Sequence, residues 1–101
     1  MITVFKMNER FGGFLADGEM ANVFRFTEVE PAVACGGHVV LDFEGVTNMT
    51  DSFGNAFIGT LIQHHPELLS SGLEFKNCNP LMRSLVSMAI DVAHLLARQP
   101  A

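Results

Sequence analysis

The 101-residue chain has no tryptophan, no tyrosine, only two cysteines and only six lysines and arginines. Each shortage excludes something. Cys35 and Cys78 stand alone, without C-x-x-C spacing, which leaves at most one disulfide as the alternative to two free thiols. Two unpaired buried thiols in a reducing compartment are the expectation. The cations Lys6, Arg10, Arg25, Lys76, Arg83 and Arg98 are scattered, and the formal net charge is −5. No basic stripe tracks a phosphate backbone, so nucleic acid and anionic membranes are not expected as partners. No apolar run approaches the roughly 18 residues that a bilayer-spanning helix needs. The opening MITVF reads as a strand rather than a leader, which makes the cytoplasm the expected location. G-x-S-x-G and a glycine-rich loop ending in G-K are also missing, which argues against a serine hydrolase and against intrinsic nucleotide hydrolysis.

What is present is a core. Nine phenylalanines and a hydrophobic content of 49% supply enough apolar volume for one domain spanning residues 1–101. Only 17% of residues are charged, so some apolar surface is expected to be covered by a partner or by a second copy in a homodimer.

The pattern along the chain alternates strand with helix. Ile2 to Met7 reads as a strand, Asn8 to Gly13 as a turn, and Phe11 to Leu15 as a short edge segment. Asp17 is the expected N-cap of a helix from Gly18, with Met20, Val23, Phe24 and Thr27 on one face against a sheet. Pro31 is expected to end or kink that helix. The continuous apolar run HVVLDF (His38 to Phe43) predicts a strand buried on both faces. A helix beginning near Ser52 follows, with Phe53, Ala56, Phe57, Thr60 and Leu61 as its stripe and Pro66 interrupting it. Leu73 to Lys76 forms another strand. Asn79 and Pro80 then cap and start a last helix with Leu81, Leu85, Met88, Val92 and Leu96 down one side. The order implies an α/β fold, a sheet of about four strands with helices packed on it.

The junction from Val39 to Ile62 carries the chemistry. A strand feeds the polar loop EGVTNMTD, which feeds a helix start with Thr50, Asp51 and Ser52. These side chains can cap the helix and do nothing more. Alternatively Ser52 is an exposed hydroxyl accepting a phosphate at the positive helix end, beside Asp51 and near Asp42 and Glu44.

This stretch resembles the STAS domains, named for sulfate transporters and anti-sigma-factor antagonists. Their signature is a VVLDF-type strand, an EGVTNM-type loop and then an Asp-Ser-Ser-Gly-like motif opening a helix. By position Asp51 matches the motif aspartate, Ser52 the phosphoacceptor and Gly54 the glycine. Phe53 replaces the second serine, and Asn55 stands where an apolar residue is usual. The Ser52-Phe53 pair with downstream Phe57 and Gly59 is more similar to a divergent STAS-like group of uncharacterised bacterial proteins, whose members often carry an acidic residue where this chain has Ala56. The resemblance extends through the final helix, over the last two-thirds of the chain. It implies a STAS-like domain with a mixed sheet. It also implies a non-enzymatic signalling module without a cofactor, which binds an anti-sigma kinase of the histidine-kinase ATPase fold. The implied partner-binding residues are Asp42, Glu44, Thr50, Asp51, Ser52, Phe53, Gly54 and Asn55; Ser52 is the implied phosphoacceptor and Thr50 the substitute.

Other readings compete. Asp42 near a strand end suggests a receiver-like phosphoacceptor, a small α/β enzyme that would need further carboxylates for Mg²⁺ and a compensating lysine such as Lys76. The run His64-His65-Pro66-Glu67 invites a metal reading, but adjacent histidines diverge on a helix and are expected at its exposed end. Cys78, just before a helix start, is expected to be a small turn residue.

Overall fold

The structure, a computed structural model, describes residues 1–98. Strand β1 (Ile2–Lys6) runs into a helical turn, α1 (Met7–Phe11), where the sequence predicted a polar turn. Met7 and Phe11 explain the difference: Met7 is fully buried and Phe11 packs on the core, and burying both requires a helical reversal. After β2 (Phe14–Leu15) comes a long helix, α2 (residues 18–34), α-helical over Gly18–Phe24 and Glu30–Ala34 and π-helical over Arg25–Val29. Strand β3 (His38–Asp42), the two-residue β4 (Asn48–Met49) and helix α3 (residues 51–64) follow. Helix α3 is likewise interrupted by a π turn, Asn55–Gly59. A 3₁₀ turn (Pro66–Leu69), β5 (Leu73–Lys76) and α4 (Pro80–Arg98) complete the chain.

The fold is α/β, as the strand–helix alternation requires, but the strands divide three and two. The larger sheet has the order β1-β3-β5 and the smaller pairs β2 with β4, every pairing being parallel. The expectation of one mixed four-stranded sheet is corrected on this point. The N-terminal edge segment pairs with the loop after β3 rather than with the main sheet, and no hairpin turns the chain antiparallel among the described residues.

Register fixes the two faces of the larger sheet. Phe5, Leu41 and Phe75 align across it, as do Thr3, Val39 and Leu73, and this side meets the helices. The opposite side carries the rows Val4–Val40–Glu74 and Lys6–Asp42–Lys76. Ile2 and Val4 are exposed there, and Val40 is buried yet separate from the core cluster. Burial of HVVLDF on both faces therefore has different causes. Helices cover one face, whereas on the other Val40 sits in a central strand between the neighbouring Val4 and Glu74 side chains.

The inward face of α2 also differs from its sequence reading. Ala21, Phe24, Arg25 and Val29 are buried, while Met20 and Val23 are exposed. Phe24 packs edge-on against Phe5 and Phe11, and this aromatic anchor sets the helix rotation. Pro31 does not end α2. The Glu30 N–H reaches back five residues to the Arg25 carbonyl, and this wider π turn lets the helix run through the proline to Ala34.

Candidate functional site

Thr50 is the N-cap of α3. Its Oγ1 accepts from Phe53 N at 3.2 Å and donates to the Ala16 carbonyl at 2.9 Å. One hydroxyl thus satisfies an orphan helix donor and ties the junction to the chain after β2. Thr47 Oγ1 donates to the Gly13 carbonyl at 3.1 Å, and Asn79 Nδ2 to the Val46 carbonyl at 3.3 Å. The loop is held along both flanks, so the helix start has a fixed position.

Asp51 and Ser52 are both exposed, and neither side chain makes a hydrogen bond among the described residues. Ser52 lies against the start of α2. A Cβ on Gly18 would come within 3.1 Å of the Ser52 carbonyl oxygen, so the two helix starts touch backbone to backbone. Asp17 caps α2 there, its Oδ1 accepting from Glu19 N at 2.9 Å and Met20 N at 3.2 Å. The open cleft that results is lined by Asp17, Glu19, Asn22, Ser52, Asn55 and Gln63, among others.

Several expected site residues are elsewhere. Phe53 is 1% exposed and Gly54 is buried. Phe53 packs on Phe11 and Phe57, while Gly54 leaves room for Met49 and Ala89. Phe53 lies beneath the surface, and Gly54 reaches it only at the floor of a groove with Met49, Asp51 and Asn55; both place the helix start. Asp42 and Glu44 line a different depression, with Lys6, Asn8 and Glu9, which shares no lining residue with the Ser52 cleft. The pairing of β4 with β2 carries the chain away from the β3 end before the helix begins. The acidic company of Ser52 is therefore Asp17, Glu19 and the adjacent Asp51.

Asp42 sits between Lys6 and Lys76 in the parallel register. Its Oδ1 accepts from Asn77 Nδ2 at 2.9 Å and from Glu44 N at 3.0 Å. The hydrogen bond from Asn77, then that from Glu44, with the two lysines adding less, holds its carboxyl below the usual range. No cluster of three metal-ligating side chains surrounds it, or exists elsewhere among the described residues.

His64 and His65 meet Glu30, which sequence reading did not single out. His64 Nδ1 lies 3.1 Å and His65 Nε2 3.2 Å from Glu30 Oε1. Arg25, the one buried charged residue among those described, donates to Glu30 as well. Its Nε donates to the Ala56 carbonyl at 3.0 Å and its second guanidinium nitrogen to Asn22 Oδ1 at 2.8 Å. Burial raises the Glu30 pKa, but hydrogen bonds from His64, Arg25 and His65 outweigh it, and the carboxyl ends below its ordinary value. The only sequence signal for this network was an arginine inside the apolar run VFRF. Of the two thiols, Cys35 is exposed rather than buried and Cys78 half-buried; desolvation raises the Cys78 thiol pKa.

A parallel sheet backed by helices, with a capped helix start facing solvent after the central strand, defines a STAS-like α/β domain. The sequence model described as a STAS-like domain of unknown function (DUF4325) matches residues 20–81, well over half of the chain, which belongs to that family. The match takes in nearly all of α2, which the motif resemblance had not reached, and stops at the first turn of α4. No curated protein and no solved structure matches the chain. Among the described residues no helix is long and apolar enough to cross a membrane.

Proposed function

We propose that the protein is a non-enzymatic, cytoplasmic regulatory binding module of the anti-sigma-factor antagonist type, switched by phosphorylation of Ser52. One observation carries the reading. Of the two candidate hydroxyls at the helix start, Thr50 is consumed by a cap and a tether, while Ser52 is exposed and unengaged. A phosphate on Ser52 would lie at a positive helix end, so the fold can hold it. It would also add negative charge beside Asp17, Glu19 and Asp51 and so repel an acidic partner surface. The partner is a regulatory protein such as a kinase of the histidine-kinase ATPase fold. It would meet Asp51, Ser52 and Asn55, with Phe53 and Gly54 acting from beneath.

The test is intact-mass analysis after incubation with ATP and host lysate. A phosphate mass on the wild type that disappears in Ser52→Ala is expected; its persistence in Ser52→Ala eliminates Ser52 as the acceptor. A second reading is a receiver-like acceptor at Asp42, favoured by the flanking Lys6 and Lys76. It requires Mg²⁺-dependent, hydroxylamine-labile phosphate from acetyl phosphate, lost in Asp42→Asn.

A further inference from the structure

A shallow groove of roughly 480 Å³ runs along α2 on the side of α1. Its floor is aromatic, with Phe24 buried and Phe11 half-buried, and Met20 and Val23 line it from α2. Those two are 51% and 62% exposed, so the hollow is both apolar and open. Charge lies at its ends. Asp17 and Glu19 stand at the α2 start, and the ion pair of Arg10 with Glu28, at 2.6 Å, closes the far end. The Arg10 guanidinium also lies over the Phe24 ring, 4.8 Å from its centroid, so the groove itself holds it. Asp17 and Glu19 line the Ser52 cleft too, and Arg10 is the only cation among the described residues that line either hollow.

We propose that this groove takes a short amphipathic helix of a partner protein, with apolar side chains on the aromatic floor and lysine or arginine in its last turn beside Asp17 and Glu19. Both elements that flank the groove are helical and use their backbone groups internally, so an extended peptide would find no ladder to join. A helix satisfies its own backbone and presents side chains at i, i+3 and i+7, the spacing of Met20, Val23 and Thr27. Charge then selects the occupant. Asp17 and Glu19 repel an anionic membrane, and at a net charge of −5 a second copy would set acid against acid. Cations in the last turn of the incoming helix sit where its own dipole favours them, which sets it antiparallel to α2.

Size decides the strength. Glu19 and Glu28 are roughly 13 Å apart along α2, so about two turns of the occupant fit between them. A contact of that length is weak, with a Kd on the order of 100 µM. The inference is independent of the phosphorylation reading, because the occupant meets α1 and α2 and the test uses the unmodified chain.

The probe is a fluorescein-labelled, alanine-based helical peptide of about 20 residues, with leucines at i, i+3 and i+7 followed by lysines in the last turn. Fluorescence anisotropy, with the full chain titrated to about 1 mM, tests the proposal. Wild type is expected to bind. Val23→Lys, at an exposed position, should weaken binding at least about tenfold with an unchanged circular-dichroism melt. Glu19→Gln should weaken it about threefold. Met88 supplies the control. It lies on the apolar side of α4 that the sequence singled out, and the structure turns that side outward while burying Met82, Val86, Ala89 and Ala93. Met88→Lys makes the same charge change as Val23→Lys and should leave binding as it is. No binding up to about 1 mM overturns the proposal. So does equal binding of a peptide with serine for leucine, or binding lost in Met88→Lys but kept in Val23→Lys.

Discussion

The Nε of Arg25 donates to the carbonyl of Ala56 at 3.0 Å, and each residue lies in the π turn of its own helix. In a regular α-helix the Ala56 carbonyl would accept from Thr60 N–H, but that donor bonds to Asn55 instead. The π turn of α3 frees an acceptor, and the buried guanidinium of α2 takes it. The two helices that bring Gly18 and Ser52 together are therefore joined by a bond that only a helix defect makes available. Replacing Arg25 by Met should cost about 2–4 kcal/mol, since it strands a buried carbonyl and removes a donor from Glu30. Arg25→Lys should recover only part, because a point charge cannot serve three acceptors in a fork. Urea unfolding midpoints check both; a fully stable Arg25→Met would show that the bond contributes nothing.

Glu30 makes stability depend on acidity. Its folded pKa lies below the ordinary glutamate value of 4.5, so the stabilisation is present above that pH and is lost as pH falls through the lowered folded value. Glu30→Gln should be less stable than wild type at neutral pH, and the gap should narrow as pH falls below 4.5 and through the lowered folded value. Thermal melts at a series of pH values read this directly; a gap independent of pH would contradict the assignment.

Two glycines at the site should respond oppositely to alanine. At Gly18 the new Cβ meets the Ser52 carbonyl oxygen at 3.1 Å, backbone that can yield only if α2 and α3 separate. At Gly54 it meets Met49 Cε at 3.1 Å, the flexible end of a side chain, inside a helix where alanine is favoured by about 1 kcal/mol. Gly18→Ala should lower the melting temperature, and Gly54→Ala should leave it unchanged or raise it.

Capping and switching separate by mutation. Thr50→Ala should lose about 1 kcal/mol of stability through the lost cap, whereas Ser52→Ala should unfold as the wild type does. Chemical denaturation of the two variants side by side measures the difference. Comparable losses would mean that Ser52 is structural.

The thiols should differ in rate. Exposed Cys35 should react with an aromatic disulfide reagent well before Cys78, whose thiol pKa is raised by desolvation. Equal rates would contradict the placement of Cys78.

Asp17 as a cap, Asn79 before Pro80, and the strands at His38 and Leu73 all follow from local rules, because caps and strand runs involve neighbours in sequence. The junction from Asp42 to Asn55 was equally legible as the place to look. Its inner organisation was not: a hydroxyl two residues from another looks the same in sequence, and the cap to Phe53 N and the tether to the Ala16 carbonyl distinguish Thr50 from Ser52. The same holds for α4, whose two apolar stripes are equally regular, so that packing against α3 decides which is buried.

By itself, then, the sequence determined the α/β order, the capped helix starts and the STAS-like signature, all of which depend on residues a few positions apart. The tertiary structure alone decided that the strands split into two parallel sheets, that Asp42 and Ser52 line separate clefts, and that Arg25 bridges two helices to Ala56. These depend on contacts between residues about thirty apart, and helix rotation and strand register, which periodicity leaves free, are set only when the aromatic core closes.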